Sequence, residues 1–158
     1  MNHHGEKHYN LKFMVTTVSS TRTMENDRSG KSMMNMLLND YKSVDYGIVH
    51  DDEIEILSLL FKNINDHDVF IFIGGTGVSR RDITSASIRK IADREVKGFG
   101  ELFRIKSGGI FPYISDASLF IYRKRIIFTL PGSENAQPLA YEIIKNIIDH
   151  LYYEINKE

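Results

Sequence analysis

The sequence contains no cysteine and no tryptophan, and only 3 of its 158 residues are proline. The absence of cysteine excludes disulfide bonds, thiolate metal sites and a thiol nucleophile. It is also typical of cytoplasmic proteins, and we predict that location. No apolar run approaches the roughly 20 residues that cross a bilayer as a helix, and the N-terminus lacks the apolar core of a signal peptide. We therefore predict a soluble protein that has no membrane partner.

An excess of charge of one sign is also missing. The chain has 20 Lys and Arg residues against 21 Asp and Glu residues, a formal net charge of −1. No overall positive field attracts a polyanion, so we do not expect nucleic acid as a partner. The length suits one domain, predicted over residues 11–158. Residues 1–10 are polar and are predicted to be a disordered tail, with metal binding by His3, His4 and His8 as the alternative.

A short apolar segment followed by glycines is the most informative stretch of the chain. The β-branched and aromatic residues of Val69–Ile73 predict a strand that is buried on both faces of a parallel sheet. Gly74, Gly75, Thr76 and Gly77 follow directly. Because glycine tolerates positive φ and has no Cβ, this loop can turn sharply and let a ligand approach its N–H groups. The loop has neither the G-x-G-x-x-G nor the Walker A pattern, so an ordinary tight turn remains the alternative to an anion site.

Apolar periodicity predicts that strands alternate with helices along most of the chain. Strands are predicted at residues 11–18, 44–49, 69–73, 119–122 and 125–130. A helix should follow each of the first three strands, the third over residues 84–95, and a long helix should end the chain. Neither a helix nor a strand is predicted for residues 97–115, which glycines interrupt. The fold class is therefore a three-layer α/β/α arrangement, with a mostly parallel sheet and a C-terminal antiparallel strand pair.

Polar loops follow the predicted strands. They begin at Ser19, at Asp51, at the Gly74–Gly77 loop and at Pro131. Because the carboxyl ends of parallel strands meet at one edge of a sheet, the first three loops should gather there. Phosphates are favoured at such edges, where helix N-termini present N–H groups. This convergence predicts a ligand site more strongly than any single loop does.

Seven short motifs occur in one register from residue 11 to the C-terminal helix. In order they are Ser-x-Thr-Arg-Thr (19–23), Asp-x-Ser-Gly (27–30), Ile-Val-x-Asp-Asp (48–52), Gly-Gly-Thr-Gly (74–77), Asp-x-Thr (82–84), Gly-Phe-Gly-Glu-x-Phe-Arg (98–104) and Leu-Pro-Gly-Ser (130–133). Each motif is weak alone. Together they resemble the MogA/MoaB family of molybdenum-cofactor biosynthesis, and the chain is most similar to the MoaB branch.

The resemblance implies a molybdopterin-binding domain. Active family members transfer AMP from ATP to the molybdopterin phosphate with Mg²⁺ and release pyrophosphate. It implies catalytic and Mg²⁺-binding roles for Asp51 and Asp82, for which helix capping is the structural alternative. The residues implied to contact the ligands are Ser19, Gly74, Gly75, Thr76, Gly77, Glu101, Pro131, Gly132 and Ser133. Family members assemble as trimers or hexamers, so a homo-oligomer is expected.

The chain departs from the family pattern ahead of the final strand pair. Members commonly carry Ser-Arg and then a glycine, whereas Ser115 is followed here by Asp116, and Phe120 takes the glycine position. A carboxylate in place of an arginine reverses the local charge beside an anionic ligand. Two hypotheses follow from these residues. The chain is a molybdopterin adenylyltransferase, or it is a non-catalytic molybdopterin-binding or assembly protein of the same pathway.

Overall fold

A computed structural model describes residues 7–158. The helices and strands are β1 (Lys12–Val18), α1 (Arg28–Leu38), β2 (Ser43–Val49), α2 (Glu53–Asn63), β3 (Val69–Ile73), α3 (Thr84–Ile91), β4 (Arg94–Glu95), α4 (Lys97–Ser107), β5 (Ser118–Tyr122), β6 (Arg125–Leu130) and α5 (Gln137–Asn156). Two short 3-10 turns cover Phe111–Ile114 and Glu134–Ala136. Each of the five predicted strands is present, with bounds that differ from the prediction by at most one residue.

The strands form one mixed sheet in the order β2-β1-β3-β6-β5-β4. Strands β2, β1, β3 and β6 run parallel to one another, whereas β5 is antiparallel to β6 and β4 is antiparallel to β5. The predicted antiparallel pair is confirmed, and its turn residues Arg123 and Lys124 both have positive φ, as a two-residue hairpin turn requires. Since β6 is parallel to β3, the loop that follows it lies at the same edge as the loops of the first three strands.

Helices cover both faces of the sheet, which confirms the three layers. On one face, Met33 of α1, Phe103 of α4 and Ile144 of α5 belong to a single buried apolar cluster. On the other face, Ile56 of α2 and Ile88 of α3 belong to a second cluster. Strand β3 supplies both clusters because alternate residues of a strand point to opposite faces, and all its side chains are buried. Among residues 7–158, none of the helices combines the length and the apolar character needed to span a bilayer.

The third helix is shorter than predicted. Helix α3 ends at Ile91 rather than at residue 95, because Ala92 adopts an extended conformation. Asp93 then donates its N–H to the carbonyl of Ile121 at 2.9 Å, and the strand β4 pairs with β5. The prediction was wrong here because two residues of edge strand leave no periodic pattern in the sequence.

Helix α4 was not predicted. Its first turn contains Gly98 and Gly100, which disfavour an isolated helix. The helix is stabilised by tertiary packing, since Phe99 and Phe103 are four residues apart and both are buried against the sheet. Gly100 is needed at this contact, because a Cβ at that position would lie 2.5 Å from the carbonyl oxygen of Ala117.

The predicted tail at residues 1–10 is only partly within the described structure, because residues 1–6, with His3 and His4, lie outside it. The remainder of that segment packs on the domain. The Tyr9 N–H donates to Oδ1 of Asp149 at 3.0 Å, and the Tyr9 ring lies against Tyr152 with 4.9 Å between ring centroids. His8 Nδ1 lies 3.1 Å from Oδ2 of Asp149. His8 and Tyr9 therefore contact the last helix, and the boundary at residue 10 stays a prediction.

Candidate functional site

Four loops lie side by side where the parallel strands end. From one side of the sheet to the other they begin at Asp51, Ser19, Gly74 and Pro131, and we call them the strand-end loops. The Ser19 N–H donates to the carbonyl of Val49 at 2.9 Å, which joins the ends of β1 and β2. The Gly74 N–H donates to the carbonyl of Leu130 at 2.9 Å, which joins the ends of β3 and β6. The predicted convergence is present, and it includes the loop at Pro131.

The shape of the Gly74–Gly77 loop depends on its first two glycines. Gly74 has φ +106° and Gly75 has φ +68°. Residues that carry a side chain rarely adopt such backbone conformations. Neither position has space for a Cβ. At Gly74 the Cβ would lie 2.5 Å from the carbonyl oxygen of Val18, and at Gly75 it would lie 2.1 Å from Oγ1 of Thr84. The glycines therefore let this loop pass directly against β1 and the start of α3.

Two carbonyl groups of the Gly74–Gly77 loop accept hydrogen bonds from other parts of the domain. Gly75 accepts a hydrogen bond from the Thr84 N–H at 3.0 Å, and Thr76 accepts one from the Asp116 N–H at 2.7 Å. No acceptor among residues 7–158 bonds the N–H of Gly75 or of Thr76. Two successive N–H groups without an acceptor, at residues whose carbonyl groups are already bonded, are suited to bind an anion.

Asp82 lies beside the last glycine of the same loop. Its Oδ2 accepts a hydrogen bond from the Ser79 N–H at 2.9 Å, and a Cβ at Gly77 would lie 2.7 Å from that oxygen. Burial raises the pKa of Asp82, but hydrogen bonds from Ser79 and from the Gly77 N–H outweigh it and hold the pKa below its ordinary value. Asp82 is therefore a carboxylate at neutral pH. It does not cap α3, whose first turn has no side-chain cap.

Asp51 is held by the neighbouring strand-end loop. Its Oδ2 accepts hydrogen bonds from the N–H and the hydroxyl of Ser20, at 3.0 and 2.9 Å. Ser20 was not singled out from the sequence, where Ser19 was the candidate. The Ser19 hydroxyl instead accepts the N–H groups of Thr21 and Arg22, at 3.2 and 3.0 Å, and so fixes the shape of its own loop. Asp52, not Asp51, caps the helix α2, since its side chain accepts the Glu55 N–H at 3.0 Å.

Asp51 and Asp82 lie in loops at the same edge of the sheet. Strand β1 separates the Asp51 loop from the Gly74–Gly77 loop, a spacing of about 10 Å for two strand positions. In each carboxylate Oδ2 is hydrogen-bonded, and no donor within residues 7–158 bonds Oδ1. In the same part of the chain, no three His, Asp or Glu side chains are grouped to hold a metal. Mg²⁺ commonly binds one or two carboxylates and completes its coordination with water and substrate phosphates, so each of these carboxylates is a ligand of the type that Mg²⁺ takes.

The loop Pro131–Ser133 is held through its carbonyl groups. The Ser29 hydroxyl donates to the Gly132 carbonyl at 2.7 Å. The side-chain amide of Gln137 donates to the carbonyls of Pro131 and Ser133, at 2.9 and 2.8 Å. Ser29 and Gln137 were not identified from the sequence as site residues. The loop touches the Gly74–Gly77 loop, since a Cβ at Gly132 would lie 3.5 Å from the Gly74 Cα.

Asp27 explains the Asp-x-Ser-Gly motif at the start of α1. Its Oδ1 accepts the Gly30 N–H at 3.1 Å and so caps α1, and its Oδ2 accepts the hydroxyls of Thr17 and Tyr46. Burial raises the pKa of Tyr46, and the hydrogen bond to Asp27 raises it further. Gly30 leaves room for this cluster, because a Cβ there would lie 2.5 Å from Oδ2 of Asp27. The cluster fixes the start of α1 and with it the position of Ser29.

Asp116, the residue that departs from the family pattern, forms an ion pair with Arg89. The guanidinium donates to both carboxylate oxygens of Asp116, at 3.0 and 3.1 Å, and also pairs with Glu95. Burial raises the pKa of Asp116, but the hydrogen bonds from Arg89 and Ser118 outweigh it and lower that pKa. Asp116 is thus a paired carboxylate, and its N–H supports the Gly74–Gly77 loop through Thr76.

Glu101 lies on a helix and not in one of the four strand-end loops. It lies on α4 and lines a pocket of about 180 Å³ between α4 and β5. Residues of both charges line that pocket, among them Lys97, Arg104 and Asp116. Asp116 also donates its N–H to the Thr76 carbonyl, so the pocket lies beside the Gly74–Gly77 loop, and the predicted contact of Glu101 with a ligand stays a prediction.

Comparison with known proteins gives the same assignment as the motifs. Residues 14–150 match the family model described as "Probable molybdopterin binding domain", which covers most of the chain. The chain belongs to the MogA/MoaB family of molybdenum-cofactor biosynthesis proteins, in its MoaB branch.

Relatives resemble the chain over almost its full length. Molybdenum cofactor biosynthesis protein B of Staphylococcus aureus (strain MRSA252) is 35% identical over 156 residues, covering 93% of each chain. The protein of the same name from Staphylococcus epidermidis is 36% identical, covering 98% of each chain. The crystal structure of the tungsten cofactor synthesizing protein MoaB from Pyrococcus furiosus superposes with a TM-score of 0.87 at 37% identity. It covers 96% of this chain and 100% of its own.

Proposed function

We propose that this protein is a molybdopterin adenylyltransferase, which transfers AMP from ATP to the phosphate of molybdopterin. The observation that carries the proposal is the arrangement of the strand-end loops. Free N–H groups of the Gly74–Gly77 loop lie at the same sheet edge as the carboxylates of Asp51 and Asp82. Such an edge suits two phosphorylated ligands that must meet, since it offers donors for their oxygens and carboxylates for a counter-ion.

The reaction needs positioning more than covalent help from the protein. A phosphate oxygen of molybdopterin attacks the α-phosphorus of ATP, the bond from that phosphorus to its bridging oxygen breaks, and pyrophosphate leaves. In this proposal the N–H groups of Gly75 and Thr76 hold phosphate oxygens, and no protein nucleophile is required. Mg²⁺ held by Asp51 and Asp82 would neutralise part of the negative charge on the phosphates.

The hydrogen bonds of the two aspartates support their roles. Ser20 fixes Asp51 and Ser79 fixes Asp82, in each case through one carboxylate oxygen. Because the lowered pKa of Asp82 keeps it ionised, its free oxygen retains negative charge throughout the neutral pH range. A carboxylate that is held through one oxygen and free at the other is oriented in advance, which favours charge stabilisation during transfer.

The alternative is a molybdopterin-binding or assembly protein without transferase activity. Asp116 in place of the usual arginine is the feature that favours it. The pairing of Asp116 with Arg89 weakens that argument, because a guanidinium within the protein, shared with Glu95, offsets part of the negative charge. Ser115, next to it, remains close to the Gly74–Gly77 loop, with its hydroxyl 3.3 Å from that of Thr76.

A direct assay tests the proposal. The full chain is incubated with ATP, MgCl₂ and molybdopterin, and both pyrophosphate and adenylylated pterin are measured. We expect the two products in equal amounts, with none formed when molybdopterin is omitted. Saturable binding of molybdopterin without release of pyrophosphate would instead identify the non-catalytic alternative.

A further inference from the structure

Every carbonyl of the Pro131–Ser133 loop is held by a donor from elsewhere in the domain. Gly132 is bonded by Ser29, which is buried at the start of α1. Pro131 and Ser133 are bonded by the side chain of Gln137, which is fully buried at the start of α5. A short exposed loop does not need three such bonds for solvation, since water can satisfy its carbonyl groups. The bonds instead fix which way each peptide group faces.

The side-chain amide of Gln137 has a single workable orientation. Its Nε2 lies 2.9 and 2.8 Å from two carbonyl oxygens, so a flipped amide would place Oε1 against two acceptors. In the observed orientation Oε1 is buried and has no partner among residues 7–158. A buried acceptor without a partner destabilises a fold. Gln137 therefore holds the loop although half of its amide group is left unsatisfied.

The loop's own donors remain free. Pro131 has no N–H, which leaves the N–H groups of Gly132 and Ser133, both in exposed residues. Within the described part of the chain neither N–H is bonded to an acceptor. Contact between Gly132 and Gly74 places these donors next to the Gly74–Gly77 loop, in which the N–H groups of Gly75 and Thr76 are also without an acceptor in the described part of the chain. Successive free N–H groups of this kind form an anion-binding concavity.

We propose that Ser29 and Gln137 are positioning residues, which hold the Pro131–Ser133 loop so that the N–H groups of Gly132 and Ser133 bind a phosphate group. The inference rests on the proposed function only for the identity of the phosphate, as part of ATP or of the pterin ester. Neither side chain contacts the ligand. Both act through the loop, from helices that begin 109 residues apart in the sequence, at Arg28 and Gln137.

Binding of pyrophosphate, measured by NMR, tests this role without any need for turnover. The ¹⁵N-labelled full chain is titrated with sodium pyrophosphate, and the backbone amide signals of Gly132 and Ser133 are followed. The variants are Gln137→Met, which keeps the size of the side chain but cannot donate, and Ser29→Ala. Asn146→Ala is the matched control, because Asn146 also donates its side-chain amide to a carbonyl, that of Glu142 at 2.8 Å, but it lies away from the loop.

We expect both signals to shift saturably in the wild type. The dissociation constant should rise about tenfold in Gln137→Met and several-fold in Ser29→Ala, while the control stays unchanged. Melting temperatures are measured in parallel, since a purely structural role would lower them and leave the dissociation constant unaltered. If Gln137→Met does not fold, Ser29→Ala, which removes one hydrogen bond, decides the question.

Two results would overturn the inference. One is wild-type affinity for pyrophosphate in folded variants at both positions, and the other is the absence of any shift at Gly132 and Ser133 in the wild type. Failure of the proposed adenylyl transfer gives a different result. A wild-type protein that binds pyrophosphate at these amides, but releases none in the assay with ATP and molybdopterin, refutes the transfer and leaves the positioning role standing.

Discussion

The carboxylate of Asp82 lies in a segment whose backbone shape is set by other residues. Gly74 and Gly75 supply the positive φ angles, and Ser79 needs only an oxygen acceptor from Asp82. Asp82→Asn keeps that oxygen and removes the charge. We expect adenylyl transfer to fall on the order of 100-fold or more, with the unfolding free energy changed by about 1 kcal/mol or less. Pyrophosphate release and thermal unfolding measure the two effects.

Asp66→Asn is the control for Asp82→Asn, since Asp66 is exposed before β3, at the opposite edge of the sheet. It should transfer AMP at the wild-type rate. Wild-type turnover by Asp82→Asn would remove Asp82 from the mechanism. Unfolding of that variant would assign the residue a structural role.

The pair formed by Arg89 and Asp116 predicts a dependence of stability on pH. Arg89 and Ser118 hold the pKa of Asp116 below its unfolded value of 3.8, so the pair stabilises the folded state above that value. The stabilisation is lost as the pH falls through the folded pKa, because the carboxyl then gains a proton. Since both side chains are partly exposed, we expect Asp116→Asn to lose about 0.5–1 kcal/mol at pH 7.

Melting temperatures of the wild type and of Asp116→Asn, measured from pH 7 down to pH 2, check the prediction. The two curves should converge in acid, because the wild-type carboxyl also becomes neutral there. A constant difference between them at all pH values would show that the ion pair is not its source.

At the scale of single elements, the two glycines of α4 provide a matched pair of substitutions. A Cβ at Gly98 would meet no atom within 4 Å, whereas a Cβ at Gly100 would lie 2.5 Å from the Ala117 carbonyl oxygen. Gly98→Ala should therefore stabilise the protein by about 0.5–1 kcal/mol through helix propensity. Gly100→Ala should destabilise it by roughly 1–3 kcal/mol through overpacking. Urea unfolding of both variants tests this, and equal shifts would contradict it.

Elements with strong local patterns were predictable from the sequence. The apolar run of β3 and the long apolar stripe of α5 both appear where they were expected. Helix α4 and strand β4 were missed because contacts distant in sequence form them. Phe99 and Phe103 become a helix face only against the sheet, and β4 exists only through pairing with β5.

In the candidate site, too, some residues were predictable from the sequence and others were not. Residues within motifs, such as Asp51 and Asp82, could be placed at one sheet edge from the order of strands alone. The residues that hold them in place could not. Ser20 lies 31 residues before Asp51, and Ser29 lies 103 residues before its acceptor in Gly132. No local pattern marks a hydrogen bond across such separations, which only the fold brings together.

At the scale of the whole molecule, the last turn of α4 and the segment after it leave apolar side chains exposed. Ile110 is 75% exposed and Phe111 is 82% exposed, and Ile105, Tyr113 and Ile114 extend the same segment. Exposed apolar residues concentrated in this way mark a contact surface. We propose that a second copy of this chain covers them, in the trimer or hexamer expected from the family resemblance.

Phe111→Asp should therefore weaken self-association. A charge at a buried apolar contact is destabilising, so the sedimentation coefficient at micromolar concentration should shift toward that of a monomer. Ile54→Asp is the control, since Ile54 is also 75% exposed but lies on α2, on the other face of the sheet. A wild type that sediments as a monomer would refute the oligomer, and equal effects of both substitutions would refute the surface.

The strand order also determines what happens while the chain is being made on the ribosome. Strand β6 occupies the middle of the sheet but is the last strand to be synthesised, and it pairs with β3 from Val69↔Ile126 to Ile73↔Leu130. Until β6 emerges, the nascent chain carries one open edge of β3, an uncharged run of β-branched and aromatic residues that favours aggregation. At ordinary synthesis rates that interval is roughly 3–10 s. Translation speed and chaperone access therefore influence the yield of folded protein before any ligand is met.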